Sequence, residues 1–146
     1  MTIQTLADIS RYQRQQRPTA TALVYAYDGR EWTYEDLDLE ACQCANALQA
    51  MGTGIQDRVA YLGKNAPEYF TTLFGVTKLN AVSVAVNWRL AAPEMEYILN
   101  HSESRVLFIG DEFLGHLAQM TLNLTHIVVL GDPGDTGYPT YAQWLA

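Results

Sequence analysis

Only two of the 146 residues are cysteine, and no apolar run approaches the roughly 20 residues needed to cross a bilayer. The opening, Met1-Thr-Ile-Gln-Thr-Leu-Ala-Asp8, has neither a basic start nor an apolar stretch, so it does not read as a secretory signal. A cytoplasmic protein without a transmembrane segment is the resulting expectation. Positive charge is scarce as well. Nine Lys and Arg stand against 16 Asp and Glu, giving a net charge of −7. Neutralising a phosphate backbone takes an excess of Lys and Arg, so nucleic acid is not expected as a partner. The one local basic cluster, Arg11, Arg14 and Arg17, recurs every third residue and reads as a solvated stripe on a short helix.

Motifs that carry chemistry are missing too. There is no Walker pattern and no Gly-x-Ser-x-Gly elbow. Gly52-Thr-Gly54 follows a helical stretch and precedes a strand, the wrong order for a dinucleotide fingerprint, so it reads as a helix stop. His101, His116 and His126 are scattered, without Cys, His or acidic neighbours at metal-ligand spacing. Cys42 and Cys44 lie two apart in a helical stretch and point to opposite sides. They suit neither a disulfide nor a shared metal, and read as one buried and one partly exposed small residue. Asp36, Asp38 and Glu40 are likewise two apart and do not converge as an acid/base pair. Asp132 and Asp135 sit in a glycine-containing loop, Gly131 to Gly137, that reads as solvated. A phosphoacceptor receiver would need paired acids after its first strand and a lysine after its last, and neither is seen. The residues themselves offer no catalytic group and no metal site.

What is present is a foldable alternation. Hydrophobic residues make up 49% and charged residues 17%, enough to fill a core. Leu6–Gln16 reads as a helix capped by Thr5 and closed by Pro18. Ala22–Tyr27 and Glu31–Thr33 flank Asp28-Gly29 as a β-hairpin. Thr33 with Asp36 forms a near capping box for a long helix. On it Leu37, Ala41, Cys44, Ala45 and Leu48 recur on one face until Gly52 stops it. Strands follow at Arg58–Leu62, Val82–Val86, Arg105–Ile109 and His126–Leu130. Between them Pro67 opens a helix through Phe70, Leu73, Phe74 and Lys78, and Pro93 opens another with Met95, Ile98 and Leu99. Phe113–Met120 is expected to be helical, and Tyr141–Leu145 to start a further helix. This spacing of strands and helices predicts an α/β fold, with a mostly parallel sheet, flanking helices and an N-terminal hairpin. The strands show little polar alternation, which predicts that both faces are covered.

Five stretches, in order, resemble the N-terminal part of the adenylate-forming acyl-CoA synthetases. They are Trp32-Thr-Tyr-Glu-Asp-Leu37, Ala47-Leu-Gln-Ala-Met-Gly52 with Gln56-Asp-Arg-Val-Ala60, and Lys64-Asn-Ala-Pro-Glu-Tyr-Phe70. Val86-Asn-Trp-Arg-Leu90 follows, then Pro93-Glu94 with Tyr97-Ile-Leu-Asn100. The resemblance runs from about Leu6 to Leu130 and implies that residues 1–146 form one N-terminal subdomain of a longer, AMP-binding enzyme. The parent reaction it implies uses ATP, Mg and CoA to turn a carboxylic acid, such as a fatty acid, into a thioester. The family's phosphate loop, its later aromatic-Gly-x-Thr-Glu motif and its C-terminal lysine have no counterpart here. The expectation is therefore a truncated segment, inactive alone, that binds none of these cofactors. Arg89 is the one candidate for approaching CoA or a partner surface; otherwise it would pair with Glu94 or cap carbonyls. Asn87 would close a turn, and Trp88 and Leu90 would cover the sheet end. Two other readings are a non-catalytic module that self-associates through exposed apolar surface, and a small nucleotide-binding α/β protein.

Overall fold

A computed structural model describes residues 2–146. The packing divides into two compact units, one of residues 2–54 with Ala66–Asn80 and one of Ile55–Asn65 with Ala81–Ala146.

The first unit holds helix α1 (Leu6–Gln16), strands β1 (Thr21–Val24) and β2 (Glu31–Thr33), and helices α2 (Tyr34–Ala50) and α3 (Pro67–Lys78). The capping box at Thr33 forms as expected. Its hydroxyl accepts from the Asp36 N–H at 3.1 Å, and the Asp36 carboxylate accepts the Thr33 N–H at 3.0 Å. The expected α2 face is buried in full: Leu37, Ala41, Cys44, Ala45 and Leu48. Gly52 follows at φ 88°, the left-handed conformation a helix stop requires.

Two local expectations change. The first hairpin strand ends at Val24 rather than Tyr27. Tyr25 N–H donates to the Arg30 carbonyl at 2.8 Å and Gly29 N–H donates to the Tyr25 carbonyl at 2.8 Å, so the connection is a four-residue loop. On α3 the buried residues are Pro67, Thr71, Thr72, Gly75 and Val76, while Phe70 is exposed. The buried threonines satisfy themselves by donating to carbonyls one turn back, as Thr72 does to Glu68 at 2.7 Å. Polarity therefore did not mark the outer face of this helix.

The second unit is built on a parallel sheet of β3 (Arg58–Leu62), β4 (Val82–Val86), β5 (Val106–Gly110) and β6 (His126–Leu130), ordered β4-β3-β5-β6. Its helices are α4 (Ala92–His101) and α5 (Tyr141–Leu145). Along each strand side chains alternate between faces. One face carries Ala60, Leu62, Val86, Leu107, Ile109 and Val129, packed with Met95 and Leu99 of α4 and with Phe113. The other carries Val59, Tyr61, Val106, Phe108 and Val128. There Phe108 meets Tyr141 and Trp144 of α5 edge-on, at centroid distances of 6.1 and 5.0 Å.

The expected parallel sheet is thus present, and the two inner strands β3 and β5 are largely buried as their apolar runs suggest, whereas β6, at one edge, buries only Val128 and Val129. β4 is covered least. It lies at an edge, with Val82 and Ala85 exposed, so coverage on both faces does not extend to it. The third core strand is shifted by one residue, Val106–Gly110 rather than Arg105–Ile109. The helical segment expected at Phe113–Met120 is present as a 3-10 helix over Asp111–Gln119. Gly115 in its middle weakens the α-helical alternative.

Candidate functional site at the carboxyl edge of the sheet

In parallel α/β sheets, ligands gather outside the carboxyl ends of the strands, where the loops turn towards helices. Here those ends present Gly63-Lys64 after β3, Asn87-Trp88-Arg89 after β4, Gly110-Asp111 after β5 and Gly131-Asp132 after β6. The Asn87 carboxamide oxygen accepts the Arg89 N–H at 3.0 Å, closing the expected turn. That turn lifts Trp88 against Phe113, with ring centroids 5.9 Å apart. Trp88 and Leu90 both pack on the sheet core, as expected.

Two cations lie close to the indole. The Lys64 ammonium lies 5.2 Å from a Trp88 ring centroid and the Arg89 guanidinium carbon 4.7 Å from one. Lys64 also pairs with Glu112 at 2.9 Å, whereas Arg89 makes no ion pair among the described residues. Arg89 therefore does not bridge to Glu94. That carboxylate instead accepts the Ala91 N–H at 2.8 Å at the start of α4. The result is an aromatic platform carrying positive charge, with an exposed, unneutralised guanidinium at its rim.

The neighbouring loops are of opposite character. The Asp111 carboxylate accepts the N–H of Glu112 at 2.7 Å and of Asp132 at 3.0 Å. Gly131 stands at φ 114°, and a Cβ there would run into that same carboxylate. The backbone donors that an anion would need at the ends of β5 and β6 are already held by the protein's own carboxylate. Asp132 in turn accepts the Gly134 N–H at 2.9 Å, so this loop is closed by its own acids. Among the described residues no group of three His, Cys, Asp or Glu side chains is placed to hold a metal.

A second feature, in the first unit, escaped the sequence reading. Asp38 is buried and accepts from the Lys78 ammonium at 2.8 Å, the Ser10 hydroxyl at 2.7 Å and the Arg14 guanidinium at 3.5 Å. Burial works to raise its pKa, but the Lys78 hydrogen bond and then the Ser10 bond outweigh it, and the carboxyl sits below the ordinary range. Asp38, Lys78 and Arg14 line a cleft of about 660 Å³ together with Arg11, Glu35 and Cys42. The arginine stripe thus divides. Arg11 pairs with Asp8 at 2.9 Å on the surface, while Arg14 turns into the buried cluster, contrary to a uniformly solvated face. The three acids of α2 diverge as expected: Asp36 caps, Asp38 is buried with Lys78, and Glu40 accepts the Trp32 indole N–H at 2.9 Å. Cys44 is buried and Cys42 partly so, also as expected. Burial pushes the Cys44 thiol up to about 12, with Glu40 adding to it, which makes it inert.

Of the carboxyl-edge residues, Arg89 with its neighbours and Asp132 were singled out from sequence, the latter only as part of a solvated loop. Lys64 and Asp111 were legible in principle, as the first or second residue beyond a strand in a parallel fold.

Residues 10–140 match the AMP-binding enzyme family. The chain belongs to that family. It is 46% identical over 145 residues to the fatty acid–[acyl-carrier-protein] ligase ScoC of Streptomyces coeruleorubidus, covering 99% of this chain and 26% of that protein. Among solved structures it is similar to the anthranilate CoA ligase AuaEII in complex with anthranoyl-AMP, with a TM-score of 0.88 and 34% identity over 95% of this chain and 27% of that one. It is also similar to the N-terminal domain of FACL13 from Mycobacterium tuberculosis, with a TM-score of 0.82 and 31% identity over 87% of this chain and 34% of that one. The chain therefore spans about a quarter of the length of the first relatives it matches. It is the α/β N-terminal portion of the acyl-CoA ligase fold. No helix among the described residues is long and apolar enough to cross a membrane.

Proposed function

We propose that residues 1–146 are the N-terminal subdomain of a ligase that adenylates a carboxylic acid, such as a fatty acid, with ATP and Mg, then passes the acyl group to a thiol. On its own the segment performs neither step. The observation that carries this reading is the carboxyl edge itself. Asp111 holds the backbone N–H groups that a triphosphate would require, and the carboxylates of Asp111, Glu112 and Asp132 would repel one. The residues present thus do not fit ATP, and no adenylation step is derived through them.

They do fit one anionic, stackable group at Trp88. Arg89 and Lys64 supply positive charge beside an aromatic surface, a pattern suited to the nucleotide end of CoA. When bound, CoA supplies the acceptor thiol. Arg89 holds an anionic oxygen, Trp88 offers a stacking face, and Glu112 keeps Lys64 in place. A second acceptor is favoured by the 46% identity to a ligase named for an acyl-carrier protein, whose docking would use the same exposed cations.

The catalytic claim is tested by pyrophosphate release from the 146-residue polypeptide with ATP, Mg and a panel of fatty and aryl acids. No release above blank is expected, and clear turnover overturns the reading. The acceptor is tested by titrating CoA, dephospho-CoA and an acyl-carrier protein while following tryptophan fluorescence. Arg89→Ala should weaken binding of whichever acceptor binds, by about tenfold for a lost charge-assisted contact.

A further inference from the structure

Helix α1 is attached to its unit at one polar point. Of its 11 residues only Ser10 is fully buried, whereas α2 buries six residues and α3 five. The apolar Ile9 and Tyr12 of α1 are only half-buried. Ser10 and Arg14 stand one turn apart on the same face of α1, and both end on Asp38 of α2. The hydroxyl donates to Oδ1 at 2.7 Å and the guanidinium to Oδ2 at 3.5 Å. From α3 the Lys78 ammonium donates to Oδ1 at 2.8 Å. One carboxylate thus joins three helices.

The junction depends on its charge. Arg14 and Lys78 carry the same sign and meet at a group that is 4% exposed, with Lys78 itself 15% exposed. Without the carboxylate charge, α1 and α3 would face each other through two cations where water is scarce. The other charged groups around the junction do not replace it. Glu35 of α2 lies 3.4 Å from Arg14 but is 47% exposed, and Arg11 is turned to Asp8 at 2.9 Å. The far end of α1 is tied separately. The Arg17 guanidinium carbon lies 4.8 Å from the Tyr34 ring centroid, and the Pro18 carbonyl accepts the Glu35 N–H at 3.0 Å. These contacts hold the helix exit to the start of α2 without Asp38.

We propose that α1 is a hinged strap latched by Asp38: it turns on Arg17 and Pro18 and lifts as one helix when the latch is broken, while α2 and α3 stay packed. The α2–α3 contact does not need the latch, because Gly75 sits directly against Cys44 and Ala41. Lifting opens the cleft that α1 lines and bares Cys42, which shares that lining with Arg11 and Arg14. Cys44 faces α3 and stays covered. An isolated helix of this length is marginal in water, so the lifted strap also loses its own hydrogen bonds.

The proposal is independent of the ligase reading, since its readout is local opening rather than turnover. Amide exchange of the polypeptide at pH 7, followed by mass spectrometry, tests it. Asp38→Asn should speed exchange across Leu6–Gln16 at least about tenfold, with the centres of α2 and α3 exchanging as in the wild type. Ser10→Ala combined with Arg14→Met breaks the latch from the α1 side and keeps the Asp38–Lys78 pair. It should give the same pattern, and serves should Asp38→Asn fail to fold. The two changes shift local charge in opposite directions, so a purely electrostatic effect would split them, whereas lifting moves both alike. Iodoacetamide should label Cys42 faster than wild type in both, with Cys44 untouched until urea unfolds the chain. Exchange of α1 equal to wild type in either variant overturns the proposal. So does opening of α2, α3 and Cys44 together with α1, because Asp38 would then hold the whole unit rather than latch one helix.

Discussion

The two compact units are stabilised by different means. In the sheet unit the interior is apolar on both faces, from Leu62 and Ile109 on one side to Phe108 and Val128 on the other. In the helical unit a buried carboxylate meets an ammonium, a hydroxyl and a partly exposed guanidinium, and two threonines are buried besides. An apolar core tolerates a change of pH and is sensitive to loss of volume. A buried ionic cluster contributes little net stability as a whole but is costly to break by halves. The two units should therefore fail in response to different perturbations.

The largest effect is expected in the sheet unit. Phe108 is fully buried, and its ring meets Tyr141 and Trp144. Phe108→Ala should cost about 3–5 kcal/mol, through lost burial and the cavity left beneath α5. Urea denaturation followed by circular dichroism would measure it. The loss should be nearly the same at pH 7 and at acid pH, because the contact contains no carboxylate or imidazole. A cost below about 1 kcal/mol would show that α5 collapses onto the gap.

The contrasting experiment removes Lys78. Its ammonium is the shortest ionic contact of Asp38, whose side chain is only 4% exposed. Lys78→Met should cost about 3 kcal/mol by stranding that carboxylate, and adding Asp38→Asn should recover much of the loss. The pH dependence has a definite sign. The Asp38 carboxyl lies below its ordinary pKa in the fold. Its contribution is therefore full above about pH 4 and is lost as pH falls through the depressed value. Wild type should lose more stability on acidification than Asp38→Asn does. Equal acid slopes in the two proteins would contradict the assignment.

That contrast also explains what could be read in advance. Period-2 and period-3.6 apolar runs report on apolar packing, so the four strands and the Leu37-to-Leu48 face of α2 were legible. Asp38 was not. It lies one residue from Leu37 and three from Ala41, on the edge of the buried face, where only the arrival of Lys78, 40 positions later, settles its fate. Thr71 and Thr72 were hidden for the same reason, since a side chain that bonds its own helix can be buried at little cost. At the carboxyl edge, the Asn87 turn was legible because it is local. Lys64 over Trp88 and Asp111 under Gly131 were not, because each pairing joins two loops that only the strand order brings together.

A smaller effect tests the helix contact directly. A Cβ at Gly75 would lie 2.6 Å from the Cys44 sulfur and 2.8 Å from its Cβ. Gly75→Ala should therefore cost about 1–3 kcal/mol despite its better helix propensity, because neither α2 nor α3 can yield without repacking. Cys44→Ala removes the obstructing sulfur. The double variant should be more stable than the sum of the single losses predicts, by about 1 kcal/mol. Strict additivity would mean that the helices separate to admit the methyl.

The smallest expected change has the opposite sign. Three helices end on a residue in the left-handed region: α2 at Gly52 with φ 88°, α3 at Asn80 with φ 54°, and α4 at Glu103 with φ 57°. Glycine adopts this conformation freely and asparagine tolerates it, but a glutamate there is strained by about 1 kcal/mol. Glu103 is retained with a partner, Arg58, at 3.3 Å, and its side chain is 74% exposed, so that pair is worth only a few tenths of a kcal/mol. Glu103→Gly should stabilise the sheet unit by about 0.5 kcal/mol, the relief of strain exceeding the lost pair and the added freedom of the unfolded chain. Raising the salt concentration should widen the gain, because it weakens the Arg58 pair in the wild type alone. A net loss at high salt would mean that this terminus is held by Glu103 itself rather than by the backbone turn that follows α4.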